Sequence, residues 1–219
     1  MTISKKYYLN RNNSKISNSS EKNYLNALNT FNFYISKNNG QKISAGANLL
    51  DLGCGDGSFV KFLNQLKFNA VGVDIEEVNL EKDKTKFLEN SFDNILLNSV
   101  VEHISNIDHL FTEIRRILKP GGNLIIVTPN FSYDFKNFYN DPTHIRPFTH
   151  TSMLKILQIY KFNNIIIKPW TTKYKRIINL ISFPFFFCAK ILPFKNNDNV
   201  FIPSFLKGKS TSLLAVCKK

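Results

Sequence analysis

The sequence predicts an α/β protein, a single doubly wound domain with a mostly parallel sheet. Along the middle of the chain, short apolar runs alternate with stretches of helical spacing. Three glycines at alternate positions, Gly53, Gly55 and Gly57, separate the first such run from the first helical stretch after it. The second run ends on an acid, Asp74, about 20 residues beyond Gly53. A chain of 219 residues can build one such core and is short for two.

Residues 1 to 20 are polar and rich in Asn, Ser and Lys, a composition that predicts a flexible arm ahead of a domain over 21–219. From Glu21, Tyr24, Leu25, Leu28, Phe31 and Tyr34 fall at helical spacing, with Ser19 or Ser20 as an N-cap and an end near Gly40. Asn48 to Leu52 reads as a strand, and Phe59, Val60, Phe62, Leu63 and Leu66 mark the helix after the glycines. Ala70 to Val73 is the second strand, and Asn94 to Asn98 follows a turn at Ser91-Phe92-Asp93. Ile107, Leu110, Phe111, Ile114 and Leu118 predict a helix closed by Pro120-Gly121-Gly122, with a strand from Leu124 to Val127. After an irregular aromatic segment come a helix on Met153, Leu154, Ile156 and Leu157, capped by Thr149 or Thr151, and a strand at Ile165 to Ile167. An aromatic insertion or lid spans 171–209, and Ser212 to Cys217 is the last strand.

Lys and Arg outnumber Asp and Glu by 29 to 16, a net charge of +13. The lysines are scattered among asparagines and isoleucines with no dense basic block, so this charge is weak evidence for a nucleic-acid partner. Cys54, Cys188 and Cys217 form no C-x-x-C pair, which argues against a zinc site and a disulfide framework; no metal is expected. The amino terminus lacks the apolar core of a secretory signal, and a cytoplasmic location is the expectation. The apolar stretch from Arg176 to Phe194 is interrupted by Asn179, Pro184, Lys190 and Pro193, so no membrane span is predicted. Its aromatic part, 177–194, with Lys175, Arg176, Lys190 and Lys195 beside it, suits weak peripheral contact with an anionic membrane surface.

Glycines between a strand and a helix let a ligand approach bare backbone, and the helix start adds unpaired N–H groups that favour an anionic group. An acid after the second strand is placed for ribose hydroxyls. Ser58 occupies the third position of the dinucleotide pattern G-x-G-x-x-G, which makes NAD the second choice of cofactor.

The string Leu49 to Phe59 resembles motif I of the class I S-adenosylmethionine-dependent methyltransferases. Asn90-Ser91-Phe92-Asp93, Ser99-Val100-Val101-Glu102-His103, and Leu118-Lys119-Pro120-Gly121-Gly122 with Thr128-Pro129-Asn130 match the same family in order. The resemblance covers roughly Leu49 to Thr149 and implies a Rossmann-like methyltransferase domain with an antiparallel last strand and S-adenosylmethionine as cofactor. By that resemblance Gly53, Gly55 and Gly57 pass beside the methionine part with Asp51 near its amino group, Asp74 takes the ribose hydroxyls, and Asn98 and Ser99 border the methionine part from the other side; Cys54 and Ile75 are further cofactor-binding candidates. Leu80 and Glu81 are the adenine-side candidates. Only 19 positions separate Asp74 from Asp93, too few for the family's usual helix, strand and two turns, so this region is shortened: either the third strand is vestigial or the helix is reduced.

Methyl transfer needs an aligned nucleophile in a dry site, and a hydroxyl acceptor is helped by a base near neutral pH. Of the four histidines, His103 and His144 are the catalytic candidates, against a purely structural role in capping and loop packing. Arg146 is the candidate to bind an anionic group on the substrate. The segment Asp141-Pro142-Thr143-His144-Ile145-Arg146-Pro147-Phe148-Thr149 resembles a bacterial subgroup associated with surface-polysaccharide biosynthesis, which implies a small-molecule acceptor such as a glycan or nucleotide-sugar hydroxyl. The Val-Val-Glu-His stretch is similar to quinone-biosynthesis O-methyltransferases, which implies a membrane-borne phenol as the alternative. A non-catalytic cofactor-binding module is the rival class. A nucleic-acid methyltransferase is disfavoured because no Asn-Pro-Pro-Tyr type of string is present. Oligomeric state stays open.

Overall fold

A computed structural model of the chain describes residues 20–38, 41–74, 77–170 and 212–219. Among them the elements are α1 (Ser20–Lys37), β1 (Asn48–Leu52), α2 (Ser58–Gln65), β2 (Asn69–Val73), β3 (Phe92–Asn98), a 3-10 turn (Val101–His103) and α3 (Ile107–Ile117). They continue with β4 (Leu118–Pro129), a short α4 (Phe131–Asp134), a 3-10 turn (Phe138–Asn140), α5 (His150–Ile159), β5 (Asn163–Trp170) and β6 (Ser212–Lys218).

The six strands form one sheet in the order β2-β1-β3-β4-β6-β5. β2, β1, β3 and β4 are parallel neighbours, and β6 lies antiparallel between β4 and β5. Both faces are covered, as an apolar run without polar alternation requires. Successive side chains of β1 point to opposite faces: Leu49 enters a core shared with Leu28, Phe31 and Ile35 of α1 and Leu63 of α2, whereas Leu50 and Leu52 join Phe111 and Ile114 of α3 and Met153 and Leu157 of α5. Two helices on each face make the fold doubly wound. The side chain of Asn32 donates to the Ile43 carbonyl and accepts from its N–H, at 3.0 and 2.8 Å, and so fixes the chain leaving α1. In α5 the Thr149 hydroxyl accepts from the Ser152 N–H while the Ser152 hydroxyl accepts from the Thr149 N–H, a reciprocal cap.

Two local readings are corrected. Phe92 and Asp93 lie in β3 rather than in a turn, because Phe92 is paired with Leu118. Pro120-Gly121-Gly122 does not close α3: that helix stops at Ile117, and Lys119 to Gly122 bulge outward within β4 before pairing resumes at Asn94 and Asn123. The bulge is held by Lys119 Nζ donating to Asp93 Oδ1 at 2.7 Å.

The shortened region contains neither helix nor strand among described residues 77–91, leaving β2 at the sheet edge. Its turns are tied to α3 and the loop before it. Glu81 accepts from the Ser105 N–H and hydroxyl, both at 2.6 Å, and the Thr85 N–H and hydroxyl donate to buried Glu113 at 2.8 and 2.6 Å. Arg116 donates to both oxygens of Glu113, at 2.8 and 2.6 Å. Desolvation alone would raise Glu113; the Arg116 and Thr85 hydrogen bonds prevail and hold it down to about 2.

Candidate active site

The parallel strands deliver their carboxyl ends to one edge of the sheet, where ligands bind in doubly wound folds. β1 ends at Leu52, and the Gly53 N–H donates to the Val73 carbonyl of β2 at 2.7 Å, which keeps the loop on the sheet edge. Gly53 adopts φ +84°, and a Cβ there would lie 2.4 Å from Val100 Cγ2. Only glycine satisfies both the backbone and the space. A Cβ on Gly55 or Gly57 would meet nothing within 4 Å, so these two face open room above the loop. The Gly55 N–H donates to Asp74 Oδ2 at 2.6 Å, so the acid ending the second strand also clamps the glycine loop.

Beside the loop is a cleft of about 300 Å³ lined by Asp51, Gly53, Cys54, Asp56, Phe59, Asn98 and Val127, and roofed by Tyr24 and Phe31 of α1 with Trp170 of β5. Phe31 stacks on Trp170 with ring centroids 5.2 Å apart, and Tyr24 meets Phe59 at 5.4 Å. Asp51 is 4% exposed, and its Oδ1 has no hydrogen-bond partner among the described residues. Burial, reinforced by the charge of Asp74, pushes its carboxyl up to about 7. The Cys54 side chain tucks against Gly72, where a Cβ would stand 2.6 Å from the sulfur, and burial keeps its thiol up at about 12 and protonated. Ser99 follows β3 at φ +57°, an unusual conformation for a non-glycine residue, fixed by its N–H donating to the Val127 carbonyl at 2.8 Å.

The residues thus fit S-adenosylmethionine: a buried carboxylate with one oxygen unpartnered among the described residues asks for a cation such as an ammonium, and open backbone at a helix start accepts a carboxylate. Asp51, Gly53, Cys54 and Asn98 line one cleft, with Gly55 and Gly57 in the same loop. Leu80 is not brought there; its side chain packs against the core on the α3 face, and its carbonyl faces His109 Nδ1 at 3.1 Å. Ile75, residues 1–19 of the arm assigned to 1–20, and the aromatic insertion over 171–209 lie outside the described residues, as does the segment 177–194 assigned to membrane contact; Ser20, the last residue of that arm, opens α1. No helix among the described residues is long and apolar enough to cross a membrane.

One step beyond the cleft, the turn after β3 meets the loop after β4. Glu102 is fully buried, accepts from the Thr128 hydroxyl at 2.9 Å through Oε2, and has Oε1 4.0 Å from His103 Nε2. Desolvation pushes this carboxyl up to about 7. His103 and His144 lie ring to ring, with centroids 4.7 Å apart. His103 Nδ1 is 3.1 Å from the Thr143 carbonyl and 3.0 Å from its hydroxyl, and His144 Nδ1 is 2.6 Å from the Phe138 carbonyl. Asp141 orients Thr143 by accepting from its N–H at 2.9 Å and from its hydroxyl. The Ile145 and Arg146 N–H groups donate to the Glu102 carbonyl, at 2.9 and 3.0 Å, and fasten the two segments together. The Arg146 guanidinium, expected on the substrate, is directed at the Ile104 and Ser105 carbonyls, at 3.3 and 2.9 Å.

In the sequence Glu102, Thr128 and Thr143 stand only as members of longer strings, and nothing there brings Tyr24, Phe31 and Trp170 together as one roof. Tyr24 and Phe31 carried a signal as aromatic members of a helix face. Trp170 carried none beyond its bulk.

The profile of the Methyltransferase domain family matches residues 11–166, and the chain belongs to this family. It is 31% identical over 104 residues to the ubiquinone biosynthesis O-methyltransferase of Chelativorans sp. (strain BNC1), a match that covers 39% of this chain and 41% of that protein. The chain therefore spans about two fifths of the length of this curated relative. Among solved structures it is similar to a SAM dependent methyltransferase from Archaeoglobus fulgidus, with a TM-score of 0.60, 18% identity, and 88% and 93% of the two chains covered. It is also similar to Haemonchus contortus phosphoethanolamine N-methyltransferase 2 in complex with S-adenosyl-L-methionine, with a TM-score of 0.55, 22% identity, and 86% and 52% covered. These likenesses establish the Rossmann-like methyltransferase fold.

Proposed function

We propose that this chain transfers the methyl group of S-adenosylmethionine to a hydroxyl oxygen of a small molecule. The observation that carries the reading is Asp51, a buried carboxylate without a hydrogen-bond partner for Oδ1, beside a glycine loop with open backbone. S-adenosylmethionine supplies an electrophilic methyl on a sulfonium. Asp51 receives the ammonium of its amino-acid end, the loop at Gly53, Gly55 and Gly57 lies along that end, and Asp74 accepts from ribose hydroxyls while it holds the Gly55 N–H. Asn98, the last residue of β3, lines the cleft with Ser99 next to it in the chain, and the aromatic roof of Tyr24, Phe31 and Trp170 excludes water. The cluster of Glu102, His103 and His144 faces the acceptor and manages the charge left when its hydroxyl loses a proton.

Two acceptor classes divide the reading. A quinone-precursor phenol is favoured by the relatives named ubiquinone biosynthesis O-methyltransferase. A sugar hydroxyl in glycan biosynthesis is favoured by the Asp141 to Thr149 string. The test is formation of S-adenosylhomocysteine by purified chain offered a prenylated dihydroxybenzoate or a panel of nucleotide sugars, with cofactor binding measured by calorimetry. Turnover with one panel selects the acceptor, and absence of cofactor binding overturns the whole reading.

A further inference from the structure

We propose that a second cavity, at the amino end of the parallel strands, binds a small phosphorylated sugar. It measures about 380 Å³ and lies between the loop from Gln41 to Ala47 that leads into β1, the start of β3 and the bulge of β4. It stands at the opposite end of the strands from the glycine loop and does not rest on the methyl-transfer reading. Side chains alternate along a strand, so Asn94 shares a face of β3 with Leu96 and Asn98, and Asn123 shares a face of β4 with Ile125 and Val127. Asn98 and Val127 line the cleft beside the glycine loop, whereas Asn94 and Asn123, paired across the two strands, line the second cavity roughly 13 Å away at about 3.3 Å per residue.

The floor of this cavity leaves a polar group unmatched. Asn94 and Asn123 are 2% and 3% exposed, in a layer otherwise made of apolar side chains. Asn123 Nδ2 donates to Asn94 Oδ1 at 2.8 Å and to the Gln41 carbonyl at 3.1 Å. A carbonyl only accepts, so the Asn123 amide cannot be turned over, and its Oδ1 is left buried without a hydrogen-bond partner among the described residues. An unpaired buried acceptor is costly, and a ligand hydroxyl seated in the cavity satisfies it. The wall above is fixed in place: the Gly121 N–H donates to the Lys219 main-chain oxygen at 3.3 Å, and the Lys219 N–H donates to the Gly122 carbonyl at 3.1 Å.

Charge and size select the rest of the ligand. Lys42 and Lys119 bring two ammonium groups to the cavity. Lys42 is exposed and makes no ion pair among the described residues, and Lys119 gives one proton to Asp93 Oδ1 at 2.7 Å and keeps two. Asp93 is the one carboxylate side chain on the lining among the described residues, and its other oxygen accepts from the Asn48 N–H at 2.9 Å. Two lysines against one carboxylate leave a positive cavity, and a phosphate monoester, at about −1.5 to −2 near pH 7, matches two ammonium groups better than a carboxylate does. Ser44 adds a hydroxyl, and no aromatic or branched aliphatic side chain lines the cavity among the described residues. A nucleobase therefore finds no ring to stack on and an acyl chain no apolar wall. An anion for the lysines, hydroxyls for Asn123 and Ser44, and no apolar part together describe a phosphorylated sugar.

The test is calorimetry on the full chain with glucose 6-phosphate as the probe, and with glucose and inorganic phosphate as its two halves. Native protein is expected to bind one glucose 6-phosphate per chain, at least about 10-fold tighter than either half. Lys42→Ala should weaken this binding about 5-fold or more, and Ala45→Trp, which fills the cavity from an exposed loop, should abolish it. S-adenosylmethionine affinity should stay within about 2-fold of native in both variants, since they lie far from the other cleft. Asn123→Ala should also weaken glucose 6-phosphate; circular dichroism establishes that it is folded, and the two loop variants carry the test if it is not. No binding of glucose 6-phosphate by native protein, or binding unmoved by both loop variants, overturns the site. Inorganic phosphate bound as tightly as the ester overturns the sugar. Glucose 6-phosphate bound by a chain that does not bind S-adenosylmethionine overturns the methyl-transfer reading and leaves this site standing.

Discussion

Replacing Asp51 by asparagine acts with opposite sign on the stability of the free protein and on its affinity for cofactor. The folded state raises this carboxyl from 3.8 to about 7, so it binds the proton more tightly than the unfolded chain does. Its cost is absent below about pH 4, grows as pH rises, and is complete above about pH 7. A rise of about 3 pKa units at 1.36 kcal/mol each sets a ceiling of ~4 kcal/mol on that cost. Asparagine does not ionise, so the variant gains stability in urea at pH 8, and the gain shrinks toward pH 5. Cofactor binding moves the other way: loss of a charge-assisted bond to an ammonium costs ~1.5–3 kcal/mol, roughly a 10- to 150-fold weaker Kd. In the native protein the same carboxyl must be ionised to receive the ammonium, so affinity falls as pH drops below about 7, with proton release seen as a buffer-dependent binding enthalpy. Calorimetry at pH 8 and pH 5.5 with urea unfolding at both values makes the comparison. Unchanged affinity in Asp51→Asn, or a native Kd indifferent to pH across this interval, refutes the ammonium assignment.

Gly53→Ala forces a side chain into φ +84° and against Val100, and should cost about 2–5 kcal/mol of folding stability; an unchanged urea midpoint contradicts the close approach. Asp74→Ala removes the acceptor for the Gly55 N–H and, on the proposed reading, the ribose contact, so cofactor affinity should fall about 10-fold or more while Tm drops by a few degrees, read by calorimetry and thermal melting. Glu113, held down at about 2 by Arg116 and Thr85, contributes stability that is complete above about pH 4.5 and lost as pH falls toward 2. Glu113→Gln should therefore lose about 2–3 kcal/mol at pH 7 and show a flatter acid-denaturation profile than native protein; parallel profiles would remove the linkage.

What the sequence disclosed was local. β1 is legible from Asn48 to Leu52 because Leu49, Leu50 and Leu52 make a short apolar run, interrupted only by Asp51, that stops at the glycines, and the glycine loop is legible because positive φ and close approach at Gly53 both demand the absence of a side chain. Asp74 could be placed by distance along the chain, though not its hydrogen bond to Gly55, which depends on how the loop folds back over β2. The start of β4 at Leu118 is not legible in the sequence because proline and two glycines stop a helix and fill a bulge equally well, and only pairing with Phe92 distinguishes these. The Glu102–His103–His144 cluster joins two segments through backbone bonds to one carbonyl, a contact with no periodicity to announce it. The shortened region was legible as a deficit of residues, whereas its mooring to Glu113 and Ser105 was not.

The placement of β6 between β4 and β5 bears on how the sheet assembles. A chain synthesised only as far as Trp170 has made β5 but not the strand that must separate it from β4, so β5 has no neighbour at its proper position. Closing the sheet requires Ser212 to Lys218 to thread into that gap, meeting Asn123 to Pro129 across more than 80 residues of intervening chain. Such distant pairing is entropically expensive and slow. The interval before it closes, with the apolar edge of β4 uncovered, is when the nascent chain is most exposed to aggregation and has most need of a chaperone.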